Sequence, residues 1–101
     1  MIRRGDIHIV DLEPSRGSEA DKRRPAVIVS IDPANDTAQR LGRGVITVVP
    51  VTSNVARVFP FQVFLPAGST GLDRDSKAQA EQIRSVDVQR IGDLVGVVSG
   101  F

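Results

Sequence analysis

Two short segments of this chain carry side chains that together could grip and polarise a phosphodiester. The first, Lys22-Arg23-Arg24-Pro25, opens a run rich in Val and Ile, and the second spans residues 48–54 and contains Thr52. Arginine suits a phosphate because its planar fork donates two parallel hydrogen bonds and keeps its charge at any working pH. If the two runs are neighbouring strands, the Arg24 guanidinium and the Thr52 hydroxyl meet at one rim of a sheet.

The spacing of apolar residues predicts short strands joined by polar loops. Strands are expected over residues 6–12, 26–31, 45–49, 61–65 and 94–98. Pro25 should stand at the start of the second strand and Pro50 should stop the third, since proline cannot donate to a ladder. Residues 32–36 are interpreted as a break, and residues 37–41 as a short helical turn.

Residues 76–86 are ambiguous. Lys77 and Ala78 favour a helix by propensity, whereas Ile83 and Val86 fit the end of a strand. We expect a strand here, because tertiary context overrides weak propensity, followed by a turn of helix over 87–91. The elements together predict one domain over residues 1–101. Its fold class is mainly β (β-rich α+β), a small SH3-like barrel of antiparallel strands with short helices.

The composition of the chain limits which metal sites, membrane segments and partners can be expected. The chain has 13 basic and 12 acidic residues, so its net charge of +1 does not by itself indicate a nucleic-acid binder. With one His and no Cys, no zinc site of the usual kind is expected, and we predict neither a metal nor a cofactor. No apolar run approaches the ~20 residues of a membrane span. These features predict a cytoplasmic protein with no membrane partner.

Aromatic residues are scarce and one segment lacks apolar periodicity. There is no Trp or Tyr and only four Phe, so any stacking on bases would have to use Phe or Arg planes. Residues 13–23 combine Pro, Gly, Ser and charged residues, and they are predicted to form a mobile loop.

The chain also resembles the MazF/PemK/Kid ribonuclease toxins in a series of blocks that follow the family order and cover almost the whole sequence. The blocks are GDIHIVDL at 5–12, GSE at 17–19, RPAVIVS at 24–30, PVT at 50–52 and EQIRSVD at 81–87. The resemblance implies a CcdB/PemK-like barrel and a homodimeric, metal-independent, sequence-specific endoribonuclease, the toxin of a toxin-antitoxin pair. Such an enzyme would inhibit translation and growth.

The same resemblance implies a mechanism and partners. The 2′-hydroxyl of single-stranded RNA would attack the adjacent phosphate and leave a 2′,3′-cyclic phosphate and a 5′-hydroxyl. Arg24 and Thr52 would be catalytic, and the RNA-binding residues would be Glu19, Asn54, Gln82 and Arg84. A small MazE-like antitoxin with an acidic tail would fold into the RNA groove.

Some assignments stay open at this point. The residue that accepts the 2′-hydroxyl proton could be His8, the only histidine, or Glu19 in the loop. Family members usually carry a helix after the last strand, whereas this chain ends at Phe101, so that helix is either shortened or absent.

Two functions of other classes compete with the nuclease. A CcdB-like toxin that poisons DNA gyrase has the same fold and needs no Arg and Thr pair. An SH3-like RNA-binding or adaptor module would tolerate the loss of both residues.

Overall fold

The computed structural model describes residues 1–13 and 22–99, and this part of the chain is built on one curled antiparallel sheet. Its strands are β1 (Asp6–Asp11), β2 (Arg23–Ile28), β3 (Val45–Thr52), β4 (Gln62–Leu65), β5 (Ser76–Gln79), β6 (Arg84–Asp87) and β7 (Ile91–Val97). The helices are α1 (Asp32–Leu41) and α2 (Ala67–Thr70), with 3-10 turns at Ala80–Gln82 and Val88–Arg90. The predicted fold class, mainly β with short helices, is confirmed.

The strand order is β4-β5-β3-β2-β1-β7, and β6 pairs with β3. Strand β3 therefore links the two halves of the sheet. Its first half pairs with β6, its middle pairs with β2 through Val48, Val49 and Pro50, and its last two residues pair with β5. The end of β3 thus lies where β2 and β5 both approach it.

Alternation along the strands gives the sheet two apolar faces. One face, here called the α1 face, packs against Ala38 of α1; its buried residues include Val10, Leu12, Ala26, Ile28, Ile46 and Val48. The opposite face buries Ile7, Val27, Val49, Val51, Leu65 and Ala78. Burial on both faces explains why β2 and β3 are nearly continuous apolar runs.

Helix α1 corrects the sequence prediction of a break followed by a short turn. The helix begins at Asp32, ten residues long, with a proline in its first turn. Proline is compatible with the first turn, because the N–H that it lacks has no partner inside the helix. The helix ends at Leu41 and is capped by Gly42, whose φ of 67° is the left-handed conformation that glycine adopts at little cost. The Asp-Pro pair starts the helix and does not mark a loop.

The two prolines near the site also behave differently from the prediction. Strand β2 begins at Arg23, ahead of Pro25, and β3 continues through Pro50 to Thr52. The β2–β3 pairing ends at Ala26 and Pro50, so the missing N–H groups lie where that ladder stops. Arg24 is therefore inside a strand, paired with Val10 of β1.

The other predicted element boundaries agree only partly with the structure. Residues 76–86 form strands at both ends, as predicted, but the 3-10 turn Ala80–Gln82 separates them. Strand β2 ends at Ile28 and β7 begins at Ile91, both earlier than predicted. The turn at Val88–Arg90 is confirmed. In the described ranges, 1–13 and 22–99, no helix is long and apolar enough to cross a bilayer.

Candidate nucleic-acid interface

Arg24 and Thr52 lie on the same face and at the same end of the sheet. Ala26 of β2 is paired with Pro50 of β3. Arg24 is two residues before Ala26, and Thr52 is two residues after Pro50, so the two residues occupy corresponding positions just beyond the last pair. By strand alternation both fall on the α1 face, and both are half-buried. The structure therefore places both residues at one end of the β2–β3 ladder, here called the rim.

The Thr52 hydroxyl is fixed by a local turn. The backbone N–H of Asn54 donates to Thr52 Oγ1 over 3.2 Å, and Asn54 Oδ1 accepts a bond of 3.4 Å from the N–H of Ala56. Because the Thr52 oxygen acts as the acceptor in this turn, its own proton is left to donate to another group. Asn54 is exposed beside it.

A row of paired residues crosses the sheet from Thr52. Thr52 is paired with Lys77 of β5, and Lys77 is paired with Phe64 of β4. Thr52, Lys77 and Phe64 thus form a cross-strand row on one face, and Arg24 lies beyond the last β2–β3 pair. Adjacent strands are ~4.8 Å apart, so the row from Thr52 to Phe64 spans about 10 Å. It runs across the strands and carries the Lys77 ammonium.

Arg84 and Arg90 reach the end of β1 near the same rim. Arg84 Nη1 donates to the Leu12 carbonyl over 3.3 Å, and Arg90 Nη1 donates to the Asp11 carbonyl over 3.3 Å. Arg84 is paired with Val48 and shares the α1 face with Val86. Basic side chains from β6 and from the 3-10 turn Val88–Arg90 therefore converge where β1 ends.

The segment predicted as a mobile loop leaves the sheet at this rim. Leu12 N–H donates to the Lys22 carbonyl over 3.0 Å, and Lys22 N–H donates to Glu13 Oε1 over 2.9 Å, which closes the base of the segment. Residues 14–21 lie outside the described residues. The predictions for Glu19 and for the loop itself fall there.

Of two further predicted residues, Gln82 lies in a turn and His8 is buried on a strand. Gln82 is half-buried in the 3-10 turn that precedes β6. His8 is paired with Ala26, away from the rim, and it is 5% exposed. His8 Nδ1 lies 2.9 Å from the Gly92 carbonyl, which can only accept, so Nδ1 carries a proton. His8 Nε2 is buried without a hydrogen-bond partner, with Asp6 Oδ2 at 3.8 Å.

On the opposite face, a cavity of about 440 Å³ lies behind the same rim. Its lining includes Pro25, Val51 and Ser53, each next in sequence to a rim residue, together with Asp73 and Arg74. Within the described ranges, no group of three or more His, Asp or Glu side chains is arranged to hold a metal ion.

Residues 3–100 match the family model described as PemK-like, MazF-like toxin of type II toxin-antitoxin system. The chain belongs to this family. It is 66% identical over 99 residues to "Endoribonuclease MazF9" of Mycobacterium tuberculosis, an alignment that covers 98% of this chain and 84% of that protein. The resemblance drawn from the sequence blocks is thereby confirmed.

Solved structures of MazF proteins share the fold. MazF from Deinococcus radiodurans is 30% identical, with a TM-score of 0.75 over 95% of this chain and 81% of the other. An endoribonuclease from a mycobacterial species, solved in complex with its cognate antitoxin, is 23% identical with a TM-score of 0.68, covering 98% of this chain and 78% of that one. These matches confirm a MazF-like fold.

The structure adds residues to this MazF-like rim that sequence reasoning did not single out. In the sequence Lys77 indicates only helix propensity, whereas in the structure it lies directly opposite Thr52. Phe59 and Phe61 stack on each other, with the Arg57 guanidinium 5.4 Å from the Phe59 ring centre. The sequence signal was the motif Arg-Val-Phe-Pro-Phe shortly after Thr52, in a chain otherwise poor in aromatics.

Proposed function

We propose that this protein is an endoribonuclease that cleaves single-stranded RNA, acting as the toxin of a type II toxin-antitoxin pair. The observation that carries the proposal is the placement of Arg24 and Thr52 on one face at one end of the sheet. Family membership and the endoribonuclease names of its relatives support it. A gyrase poison or an adaptor would have no use for this pair of side chains.

The proposed reaction uses the RNA's own 2′-hydroxyl as the nucleophile. A bond forms between the 2′-oxygen and phosphorus while the bond from phosphorus to the 5′-oxygen breaks. The 2′-hydroxyl loses a proton and the leaving 5′-oxygen gains one, so the products are a 2′,3′-cyclic phosphate and a 5′-hydroxyl. No metal is required for this sequence of bond changes.

Arg24 and Thr52 would stabilise the charge that builds up on the phosphate. The Arg24 guanidinium supplies positive charge and two parallel donors to the non-bridging oxygens. The Thr52 hydroxyl, held by the Asn54 N–H, donates its remaining proton to the same phosphate. Strands β2 and β3 hold the backbone of both residues before RNA arrives, which favours effective electrostatic stabilisation.

His8 and Glu19 are the two proposed acceptors of the 2′-hydroxyl proton. In the free protein His8 Nδ1 carries a proton, and Nε2, the nitrogen that would have to accept one, is buried. Direct transfer to His8 therefore requires a movement that exposes Nε2 to RNA.

RNA would continue past the scissile phosphate along the basic rim. Arg84 would contact the RNA backbone or stack on a base, while Gln82 and Asn54 would hydrogen-bond base edges. Recognition of a specific sequence would come from these polar groups, because phosphate contacts alone carry no sequence information.

We further propose that the protein is a cytoplasmic homodimer with the RNA groove along its interface, and that a MazE-like antitoxin occupies the same groove. A symmetric interface would pool the Arg24 and Arg84 charges of two subunits along one path. An acidic antitoxin tail would compete with RNA for those charges. Light scattering at micromolar concentration should give twice the chain mass, and a monomer would contradict the shared groove.

Cut-site mapping by primer extension on a long RNA tests the activity directly. Cleavage at a short recurring sequence, in the presence of EDTA and with a 5′-hydroxyl on the downstream product, is the expected result. Intact RNA, together with inhibition of gyrase supercoiling, would favour the CcdB-like alternative.

A further inference from the structure

An aromatic stack lies beside the proposed cleavage site. The rings of Phe59 and Phe61 are parallel to within 2°, with their centres 5.4 Å apart. Phe61 is 55% exposed and Phe59 is 38% exposed. Two exposed aromatic rings in parallel, in a chain with four Phe and no other aromatics of their size, call for an explanation beyond core packing.

Buried Lys77 connects this stack to the row that contains Thr52. Its ammonium donates to the Arg57 carbonyl over 2.6 Å and lies 5.8 Å from the Phe59 ring centre. The residue is only 8% exposed, and no carboxylate of a described residue forms an ion pair with it. A carbonyl and a ring face therefore hold the charge in place, and they fix the segment that carries Phe59.

A second set of hydrogen bonds fixes the same segment. Gln62 Oε1 accepts from the Phe59 N–H over 3.1 Å, and Gln62 Nε2 donates to Glu81 Oε2 over 2.7 Å. The Gln62 side chain is buried at the centre of these bonds. The segment that carries Phe59 is thus held against β4 and β5 in the free protein, and a ligand would meet little ordering cost.

We propose that Phe59 and Phe61 form a base-stacking subsite for single-stranded RNA, positioned by Lys77, next to the Arg24 and Thr52 phosphate site. This inference rests on the proposed endoribonuclease function and extends it. One face of Phe61 lies against Phe59, so a base stacks on the other face. The Arg57 guanidinium beside Phe59 adds positive charge that matches the RNA backbone.

The occupant is RNA because an apolar partner would leave the Arg57 guanidinium at this patch without a counter-charge. Arg57 is exposed and lies 5.4 Å from the Phe59 ring centre. A nucleotide supplies a ring for the aromatic surface and a phosphate for this guanidinium at once. Stacking accepts every base, so the subsite adds affinity and sets the position of the strand more than it selects a sequence.

Binding of an uncleavable RNA to Phe61→Ala tests the subsite. The RNA carries the recognised sequence with a 2′-deoxy nucleotide at the cleavage position. Phe61→Ala should weaken binding about fivefold to a hundredfold, the usual loss for one stacked base. Val63→Ala, a matched control at an equally exposed apolar position on β4, should bind like the wild type. Equal affinity of Phe61→Ala and the wild type would overturn the proposal.

Abasic substitutions in the same RNA locate the stacked base. At one position near the cleavage site, the abasic RNA should bind the wild type and Phe61→Ala equally, because the stacking contact is already lost. If Phe61→Ala weakens every abasic RNA by the same factor, the subsite is wrong although the nuclease assignment stands. Failure of the wild type to cleave or bind any RNA would instead reject the proposed function.

Phe61→Trp provides a direct spectroscopic readout, since the chain contains no other Trp or Tyr. Uncleavable RNA should quench the indole fluorescence, and the abasic RNA identified above should not. Quenching of the same size by both RNAs would contradict stacking at this position.

Lys77→Met separates positioning from direct phosphate binding. As a positioning residue, Lys77 should lower the RNA affinity when replaced but leave the slope of log K against log salt unchanged, with partial rescue in Lys77→Arg. A slope reduced by about 0.7, the value for one lost phosphate contact on a single strand, would overturn the positioning role.

Discussion

Arg24 and Thr52 occupy corresponding positions just beyond the last β2–β3 pair, which joins Ala26 to Pro50. The two side chains share a face because each is two residues from a member of that pair. The β2–β3 ladder stops at this pair, while β1 pairs with Arg24 and β5 pairs with Thr52.

Replacing Arg24 by Ala should abolish detectable cleavage. Loss of one preorganised donor to a developing charge typically lowers the rate about a hundredfold to a thousandfold, and here a full charge is lost as well. Cleavage of a short labelled RNA under single-turnover conditions measures the effect. Arg24 already has an interaction partner in the free protein, so its replacement can also change the stability of the fold. The melting temperature of the variant is therefore measured in parallel. Arg23→Ala, on the other face of the same strand, is the control and should cleave nearly normally.

Thr52→Val should lower the cleavage rate while keeping the shape of the side chain. The lost hydroxyl would donate to the phosphate, and its removal also leaves the Asn54 N–H without its acceptor. We expect a loss of about a hundredfold, with substantial recovery in Thr52→Ser. Thr47→Val is the matched control on β3, because the Thr47 hydroxyl faces Ser85 at 2.9 Å and not the rim. Equal losses in both valine variants would assign Thr52 a structural role.

A single 2′-deoxy nucleotide just 5′ of the cleaved phosphate should make the RNA resistant. The nucleophile is then absent, while binding changes little, because one hydroxyl contributes a small part of the interface. Cleavage in EDTA is compared with cleavage in magnesium using the ribo and deoxy substrates. Efficient cutting of the deoxy substrate, or a strict need for magnesium, would reject the cyclic-phosphate route.

Gly96→Ala should destabilise the protein without touching the rim. A Cβ built on Gly96 would lie 2.7 Å from the Thr70 carbonyl oxygen, so α2 and β7 would have to move apart. Overpacking of this kind costs about 1–3 kcal/mol, which corresponds to a melting temperature at least about 4 °C lower. Gly68→Ala is the control, since nothing lies within 4 Å of its Cβ position. A Gly96→Ala protein that melts like the wild type would show that β7 and α2 are not tightly packed.

The sequence by itself determined the class of fold and most of the strands. Alternating apolar residues over β1 and β4 and the apolar runs of β2 and β3 predicted strands that the structure contains. In β4 the observed burial does not alternate, because Gln62 and Leu65 are buried and Val63 and Phe64 are exposed. The sequence prediction was wrong where it assumed that every proline ends a strand or marks a loop. Pro33 lies in the first turn of α1, and Pro50 lies inside β3, since each occupies a place where its missing N–H has no helical or β2 partner.

Part of the candidate site can likewise be predicted from the sequence, and part depends on the tertiary structure. Arg24 and Thr52 are predicted from the Arg-Pro and Pro-Val-Thr blocks, which resemble those of the MazF/PemK/Kid toxins, and their catalytic roles stay predictions. That Thr52 faces Lys77, and that Lys77 supports the Phe59 and Phe61 stack, follows from strand register. Register depends on which strands pair and on where β3 changes partner from β2 to β5. These are contacts between residues far apart in the chain, and only the tertiary structure decides them.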